Sequence, residues 1–595
     1  MRAATLTIST FHSFALRLLR DHGTSLGYRR GFGIADDEDG RLLLRTALRE
    51  LGISEREVSP KWGRWVISRW KNAGLDAEAA ADAAADDAEL KLALAYRKVD
   101  EEMRRRQVVD FDDMMMLAAR LLGSDEEVLR LVRDRYRYLM VDEYQDTNRV
   151  QFDIVKAIAG GRRNVAVVGD DDQSIYGWRG AESGLILSFA KHFPGAKVVT
   201  LDQNYRSTNR ILRAANAVIG NNTSRLVKTL WSALGEGDRL TVYEAADERA
   251  EMNRLVAQIE AKARDGVPHR DIAVLFRANA QSNAIEVRLR ERAIPYEVVG
   301  TWSLFDRREV KDLLAYLKVL ANPRDDGALM RVINRPSRGI GPATRDRMVE
   351  AATERRIGVM ELIASGEAED VVGPAAPRIA EFRELMAGLA ATLDEVGLRA
   401  AFEALTERIG YRAFLEIEAA DPLDAQVRWN VVESLFELAA RNDARGRDAL
   451  AGFLERLALD QKPDDGAPEE PTGVTLLTVH SAKGLEFPHV FIVGVEESLF
   501  PHRNSVEDEE RPDGIDEERR LFYVAVTRAR ETLHLSWAKE RTRYGKAQER
   551  ERSRFIAEMD SDDVEYLDAA SEGPADDAAV ASFLSRLKGK FSESD

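Results

Sequence analysis

Tyr138–Thr147 reads YLMVDEYQDT, an apolar run that ends in the adjacent carboxylates Asp142 and Glu143, with a third, Asp146, three residues beyond Glu143. Two neighbouring stretches share that build: NVAVVGDDD at 164–172 and AKVVTLDQN at 196–204, short, β-branched and nearly uniformly apolar until a polar end. Helical stretches separate them. Strands covered on both faces of a parallel sheet read this way, and their functional residues sit at the carboxyl ends. A second set follows the same rule: LTVYEAA (240–246), DIAVLFRA (271–278), PYEVVG (295–300), VTLLTVHS (474–481), HVFIVGVE (489–496) and TLHLSWA (532–538). The pattern predicts an α/β protein with two parallel-sheet domains, each interrupted by a helical insertion.

The expected boundaries follow from changes of texture. Residues 1–35 and 121–203 form the first sheet domain, in which AATLTISTFHSFALRLLRDHG reads as a short strand running into a helix. Residues 36–120 are its helical insertion, with Trp62, Trp65 and Trp70. Residues 204–300 and 472–560 form the second sheet domain, and 301–471 its insertion. Within that insertion Leu450, Phe453, Leu454 and Leu457 fall on one helix face, a core-packing pattern. KPDDGAPEEPTG (462–473) reads as a linker, and 561–595 as an acidic, loosely ordered tail.

At 595 residues the chain is too long for one core. A hydrophobic content of 44% with 32% charged residues describes a globular protein. No apolar run approaches the roughly 18–20 residues of a membrane span, and MRAATLTIST lacks a signal peptide's apolar centre. The expectation is a cytoplasmic protein with no membrane partner. Without cysteine there is no disulfide, thiol nucleophile or Cys-based zinc site, and the eight histidines show no metal-ligand spacing. The net charge of −17 argues against a basic coat, but a nucleic-acid groove needs only a local stripe.

An Asp at a strand tip can hold Mg²⁺, and a neighbouring Glu can deprotonate a water that attacks a nucleoside triphosphate. A bare apolar run ending in Asp-Glu is more often a solvated turn, so the context decides. VVGDDDQSIYGWRGA (167–181) repeats the strand-then-acid design and adds Gln173, an amide able to sense a γ-phosphate, then Tyr176 and Trp178, aromatics suited to stacking on unpaired bases. LDQNYRST (201–208) places Tyr205 beside Arg206, and FYVAVTRARETL (522–533) carries Arg528 and Arg530. Guanidinium groups brought from a second domain could stabilise the charge of a transferring phosphoryl group. TVHSAKGLEFPHV (478–490) supplies His480 and Lys483 as donors for a DNA phosphate and Glu486 as an acid for a ribose.

These blocks, in this order, resemble motifs Ib to VI of the superfamily 1 DNA helicases of the UvrD, PcrA and Rep type. STFHSF is similar to motif Ib, VDEYQDT to II, GDDDQSIYGWRGA to III, QNYRST to IV, TVHSAKGLEF to V and RRLFYVAVTRAR to VI. The likeness spans Thr7 to Met559 and implies two RecA-like domains, ATP and Mg²⁺ as fuel and cofactor, and single-stranded DNA and single-strand/duplex junctions as partners. It further implies 3′ to 5′ polarity and service in DNA repair or replication restart alongside other repair or replication proteins. Residue by residue, it implies that Asp142 holds Mg²⁺ and Glu143 is the general base. Gln173 couples nucleotide to DNA, Arg206 and Arg528 are the arginine fingers, Tyr205 stacks near the adenine and Glu486 meets the ribose. Phe11, His12, Tyr176, Trp178, Arg179 and His480 line the single-strand path, and Gly339 and Gly341 approach duplex backbone.

One part is missing. GxxxxGK[ST], the loop whose amides and lysine cradle the phosphates, occurs nowhere in residues 1–595; RYGKAQ, the nearest string, lacks the upstream glycine and the hydroxyl. In the family that loop precedes motif Ib and its strand lies mid-sheet, so the first RecA-like domain is expected to be incomplete at its N-terminus, with exposed strand edges, by a truncated or misassigned start. The chain as given is expected to hydrolyse ATP poorly. The alternative is a catalytically silent DNA-binding scaffold derived from a helicase; the helicase half of a helicase-nuclease is a weaker one, since little chain follows motif VI.

Overall fold

The computed structural model describes residues 6–299, 307–419, 422–440, 445–460, 472–507, 513–543, 546–559 and 562–567. Its strands in chain order are β1 (Gly33–Ile34), β2 (Val108–Val109), β3 (Leu139–Val141), β4 (Val165–Val167), β5 (Gln203–Asn204), β6 (Trp231–Ser232), β7 (Leu240–Asp247), β8 (Ile272–Phe276), β9 (Tyr296–Val299), β10 (Val474–Thr478), β11 (Phe487–Ile492), β12 (Ala529–Arg543), β13 (Lys546–Glu549) and β14 (Val564–Leu567).

The second sheet domain has the order β14-β7-β12-β11-β8-β10-β9, parallel throughout, with β13 antiparallel on β12. Both faces of β8 are apolar because both are covered. Ala273 and Leu275 point to one core with Ile211, Val218 and Leu521, while Ile272, Val274 and Phe276 point to the other with Leu255, Ile259 and Leu289. Alternation is therefore absent from the sequence of the strand and present in its packing. The sheet also takes in Val564–Leu567, a stretch expected to lie in a loose tail, because its backbone satisfies the free edge of β7. Residues 561 and 568–595 of the expected tail and 462–471 of the expected linker lie outside the described residues.

In the first domain β3 and β4 pair in parallel, Met140 opposite Ala166. Helices Phe11–His22, Phe111–Ser124 and Arg149–Ala159 form a core through Leu16, Leu19, Met114, Leu121, Val150 and Ile154. The expected third strand at 196–204 shrinks to β5, which pairs only with β6. Among the described residues no strand pairs with 197–201, and Val198, Val199 and Leu201 stay exposed, as do Tyr138 and Met140 at 74% and 79%. β-branched residues favour a strand only where a partner ladder and a covered face exist.

The first insertion hangs from the β1–β2 pair, its helices packed around Leu44, Ile67, Trp70, Leu92 and Tyr96. Its packing ends near residue 108 rather than the expected 120. Helix Phe111–Ser124 has the same helical texture, but its Met114, Leu117 and Ala118 bury against the first domain. The second insertion is a helical body in which Leu450, Phe453 and Leu457 are buried and Leu454 packs alongside them, as their spacing predicts.

At the neck of the first insertion, Lys71 is 1% exposed and contacts Asp110 at 2.8 Å and Asp113 at 2.6 Å. Arg64 adds a second cation to Asp110, at 3.1 Å. Two carboxyls sharing one ammonium split their titrations. Burial and the neighbouring Asp110 push Asp113 up to about 7, while Asp110, despite its own burial, is held well below the ordinary range by Lys71 and Arg64. An unfolded Asp113 loses its proton near pH 4, whereas the folded cluster keeps it to about 7. The folded state binds the extra proton, so this group's contribution to stability falls as pH rises through that window. Asp113→Asn is expected to flatten that part of a chemical-denaturation profile measured from pH 4 to 8.

Candidate nucleotide and DNA site

The two sheet domains face each other across a cleft whose walls are loops at strand carboxyl ends. β3 ends in Asp142 and Glu143. Glu143 takes a left-handed conformation at φ 49°, uncommon for a residue with a Cβ and found where surroundings over-determine the backbone. That turn exposes both carboxylates, with Asp142 Oδ1 accepting the Glu143 amide at 2.9 Å. Behind them, buried Gln145 donates from Nε2 to Glu143 Oε2 at 2.5 Å and accepts the Asp170 amide at 2.9 Å, joining the first acidic loop to the second.

The second loop, after β4, presents Gln173. Its Nε2 donates to Asp170 Oδ2 at 2.7 Å, which leaves Oε1 to accept from Arg528 Nη2 at 3.4 Å. Arg528 stands at the end of helix Gly514–Val526, is 2% exposed, and is anchored by the carbonyls of Val524 and Leu485, each at 3.0 Å. Burial, reinforced by Arg206 nearby, lowers its pKa to about 10, so it stays charged at neutral pH. Arg206 donates to Glu486 at 2.6 Å and to the Thr527 carbonyl at 3.4 Å. That hydrogen bond from Arg206 holds the Glu486 carboxyl below its usual range. Tyr205 is 79% exposed, its ring free to meet a planar ligand.

Lys483 corrects the sequence reading. Expected to meet a DNA phosphate, it points into the carboxylates instead: Nζ lies 2.5 Å from Asp146, 3.4 Å from Glu143 and 2.9 Å from the Gln173 carbonyl. Its loop follows β10 of the second domain, so this cation crosses the cleft to the first domain's acids. The spacing of HSAKGLEF does not reveal which way a lysine in a turn will point.

Carboxylates from one lobe and guanidinium and ammonium groups from the other thus share one cleft. The family model for the UvrD/REP helicase N-terminal domain matches residues 1–194, and that for the UvrD-like helicase C-terminal domain matches 199–373 and 378–540. The ATP-dependent DNA helicase PcrA of Staphylococcus aureus is 37% identical over 561 residues, which cover 94% of this chain and 76% of that one. PcrA of Staphylococcus epidermidis is 37% identical over 564 residues, with the same coverage.

The chain belongs to the UvrD/REP helicase family.

In this helicase one side of the cleft is aromatic. Trp178, 42% exposed, meets His480 edge-on at 6.4 Å, and the Arg179 guanidinium lies over the indole at 4.5 Å. Arg179 and Lys483 also lie over the Tyr176 ring, at 5.7 and 5.2 Å. Burial, with Arg277 nearby, lowers the His480 pKa to about 4, so at neutral pH it is an uncharged partner. Phe11 and His12 sit at the start of helix Phe11–His22. Phe11 packs against the first domain's core, and His12 meets Phe111 edge-on at 5.8 Å. In the second insertion Gly339, at φ 69°, and Gly341 precede helix Pro342–Arg355, and a Cβ on Gly339 would strike the Arg378 guanidinium at 2.9 Å. A bare backbone leading into a helix N-terminus suits a phosphate.

The residues present fit a divalent cation in part. Asp142 offers a solvent-facing carboxylate, whereas the three acids of GDDDQ are neutralised from within, as described below. Sequence reading missed Gln145, Arg225 and Lys228. The signal for the last two was indirect, since three consecutive acids bordering an apolar strand require cations from elsewhere.

Proposed function

We propose that this helicase translocates 3′ to 5′ on single-stranded DNA and opens duplex ahead of it, driven by ATP, in DNA repair or replication restart. The observation that carries the reading is the convergence of Glu143, Gln173, Arg206, Arg528 and Lys483 from two lobes within one hydrogen-bonded cluster. ATP in that cleft gives both lobes a shared partner. Glu143 orients and deprotonates the attacking water; Arg206 and Arg528 face the transferring phosphoryl group; Tyr205 and Glu486 hold base and ribose. Lys483, 3.4 Å from Glu143, supplies a cation of the second lobe beside the proposed base. A Mg²⁺ held by Asp142 would supply positive charge to the β and γ oxygens.

Closure would move Gln173 and Arg528 together with Tyr176, Trp178 and His480, because Gln173, Tyr176 and Trp178 share one loop, which meets Arg528 through Gln173 and His480 through Trp178. Fuel consumption is thereby coupled to grip on a strand. The test is a pair of duplexes bearing a 3′ or a 5′ single-stranded tail, offered with ATP to a polypeptide that includes a phosphate loop. Unwinding restricted to the 5′-tailed duplex would overturn the polarity.

Stacking gives a nearer test. Trp178→Ala is expected to weaken binding of a labelled oligo-dT by about 1–3 kcal/mol, roughly 5- to 150-fold, in fluorescence anisotropy. With the His480 pKa at about 4, that affinity should show no histidine step between pH 5.5 and 7.5.

The second reading, a silent DNA-binding scaffold, is favoured by one observation, the lack of GxxxxGK[ST] in residues 1–595. We favour the engine, with the phosphate loop on a segment outside these residues. The exposed apolar edge at Tyr138, Met140, Val198, Val199 and Leu201 is what a first domain missing an inner strand would present. An in-frame GxxxxGK[ST] encoded upstream of Met1 decides for it.

A further inference from the structure

Asp170, Asp171 and Asp172 bring their carboxylate oxygens within 4.8 Å of one another, a cluster able to hold a cation. The cation they hold is a side chain. Lys228 Nζ lies 2.8 Å from Asp170, 3.0 Å from Asp171 and 2.7 Å from Asp172. Arg225 adds a two-pronged contact to Asp172, at 2.8 and 2.6 Å, and the Leu226 amide donates to Asp171 at 2.8 Å. Asp171 and Asp172 are 4% and 1% exposed, so their charges depend on these partners.

The two sides of this cluster come from different lobes. The acids lead out of β4 in the first domain, while Arg225 to Lys228 follow helix Asn209–Ile219 of the second. Three residues past the acids, Ile175 is fully buried in the second domain's core with Ile211, Ala214 and Tyr523. Residues 171–175 are thus fastened to the second lobe though the chain brings them from the first. Tyr176, Trp178 and Arg179 follow directly. Asp170 is the link to chemistry: one oxygen takes Lys228, and the other receives Gln173 Nε2, which turns Gln173 Oε1 toward Arg528.

We propose that Lys228 is a positioning residue: its ammonium, bridging three carboxylates, locks the 170–179 loop to the second lobe and so sets both the Gln173 amide and the single-strand-binding aromatics. This rests on the proposed role of that loop in binding DNA. Lys228 touches neither nucleotide nor DNA in this scheme. Without it, Arg225 is the one cation left against three adjacent carboxylates among the contacts described above, and their repulsion frees the loop.

The experiment measures binding of labelled oligo-dT by the full chain across a salt series, for Lys228→Met, Lys228→Arg and Asp170→Asn, with Trp178→Ala as reference. The expected result is an affinity loss of tenfold or more for Lys228→Met, with the slope of log affinity against log salt unchanged, because no phosphate contact is lost. Lys228→Arg should bind within about threefold of the parent, and Asp170→Asn should fall between. A salt slope reduced by about one would mean that Lys228 meets a phosphate directly, and unchanged affinity would mean that it positions nothing; either overturns the proposal. Should Lys228→Met not fold, Asp170→Asn decides, since affinity equal to the parent's overturns the proposal and a loss at constant slope supports it. If Trp178→Ala also binds like the parent, the fault lies in the DNA reading of the loop; if only the Lys228 and Asp170 variants do, it lies in this inference.

Discussion

Produced from Met1 to Asp595, this polypeptide is expected to turn over ATP no faster with single-stranded DNA than without it, while still binding the DNA. The cleft holds Glu143, Gln173 and two arginines, the proposed base, sensor and fingers, but among residues 1–595 nothing matches the loop whose several backbone amides and lysine grip the β and γ oxygens. Removing a single preorganised donor from a site of developing negative charge costs roughly 10²- to 10³-fold in rate, and here a whole cradle is lacking. Lys483 lies against Asp146 and, at 3.4 Å, Glu143, so it does not stand in for that loop's lysine. Steady-state phosphate release with and without oligo-dT, beside anisotropy on the same preparation, reads both halves of the expectation. DNA-stimulated turnover of even one per second would mean that another part of the chain cradles the phosphates.

Lys71→Met should be the most destabilising single change at the neck of the first insertion. Methionine matches the volume but leaves Asp110 and Asp113 in an apolar junction with only Arg64 for company, and Arg64 reaches Asp110 alone. Stripping one partner from a buried ion pair costs about 3–5 kcal/mol, mostly the penalty of the charge left behind. For a unit of 150–250 residues each kcal/mol moves the melting temperature by roughly 2–4 °C, so a fall on the order of 10 °C is expected in differential scanning fluorimetry. Below pH 7 Lys71→Met combined with Asp113→Asn should melt close to Lys71→Met, since Asp113 already keeps its proton there and Asp110 is the charge left short of a partner. Equal melting of Lys71→Met and parent would show that water reaches the cluster.

The second sheet was legible from its nearly uniform apolar runs, and β8 shows why they arise: both faces meet helices, and every residue of Ile272–Phe276 is apolar and buried. The run at 196–201 is just as β-branched yet forms no ladder, since propensity offers a strand and only a neighbour accepts it. Helix Phe111–Ser124 shows the same limit from the other side, as its helical texture was legible and its host domain was not.

Residue types and their order along the chain were enough to place carboxylates at strand tips, to supply arginines from a second lobe and to mark aromatics beside the sensor loop. Those features are local, written in runs of ten to fifteen residues. Which group faces which was decided only when distant segments met: Lys483 turned to Asp146 and Glu143, 337 and 340 positions away, and Lys228 closed on three aspartates 56 to 58 positions away. The physical reason is that a charge's role depends on what neutralises it, and in a folded chain the nearest opposite charge in space is seldom the nearest in sequence.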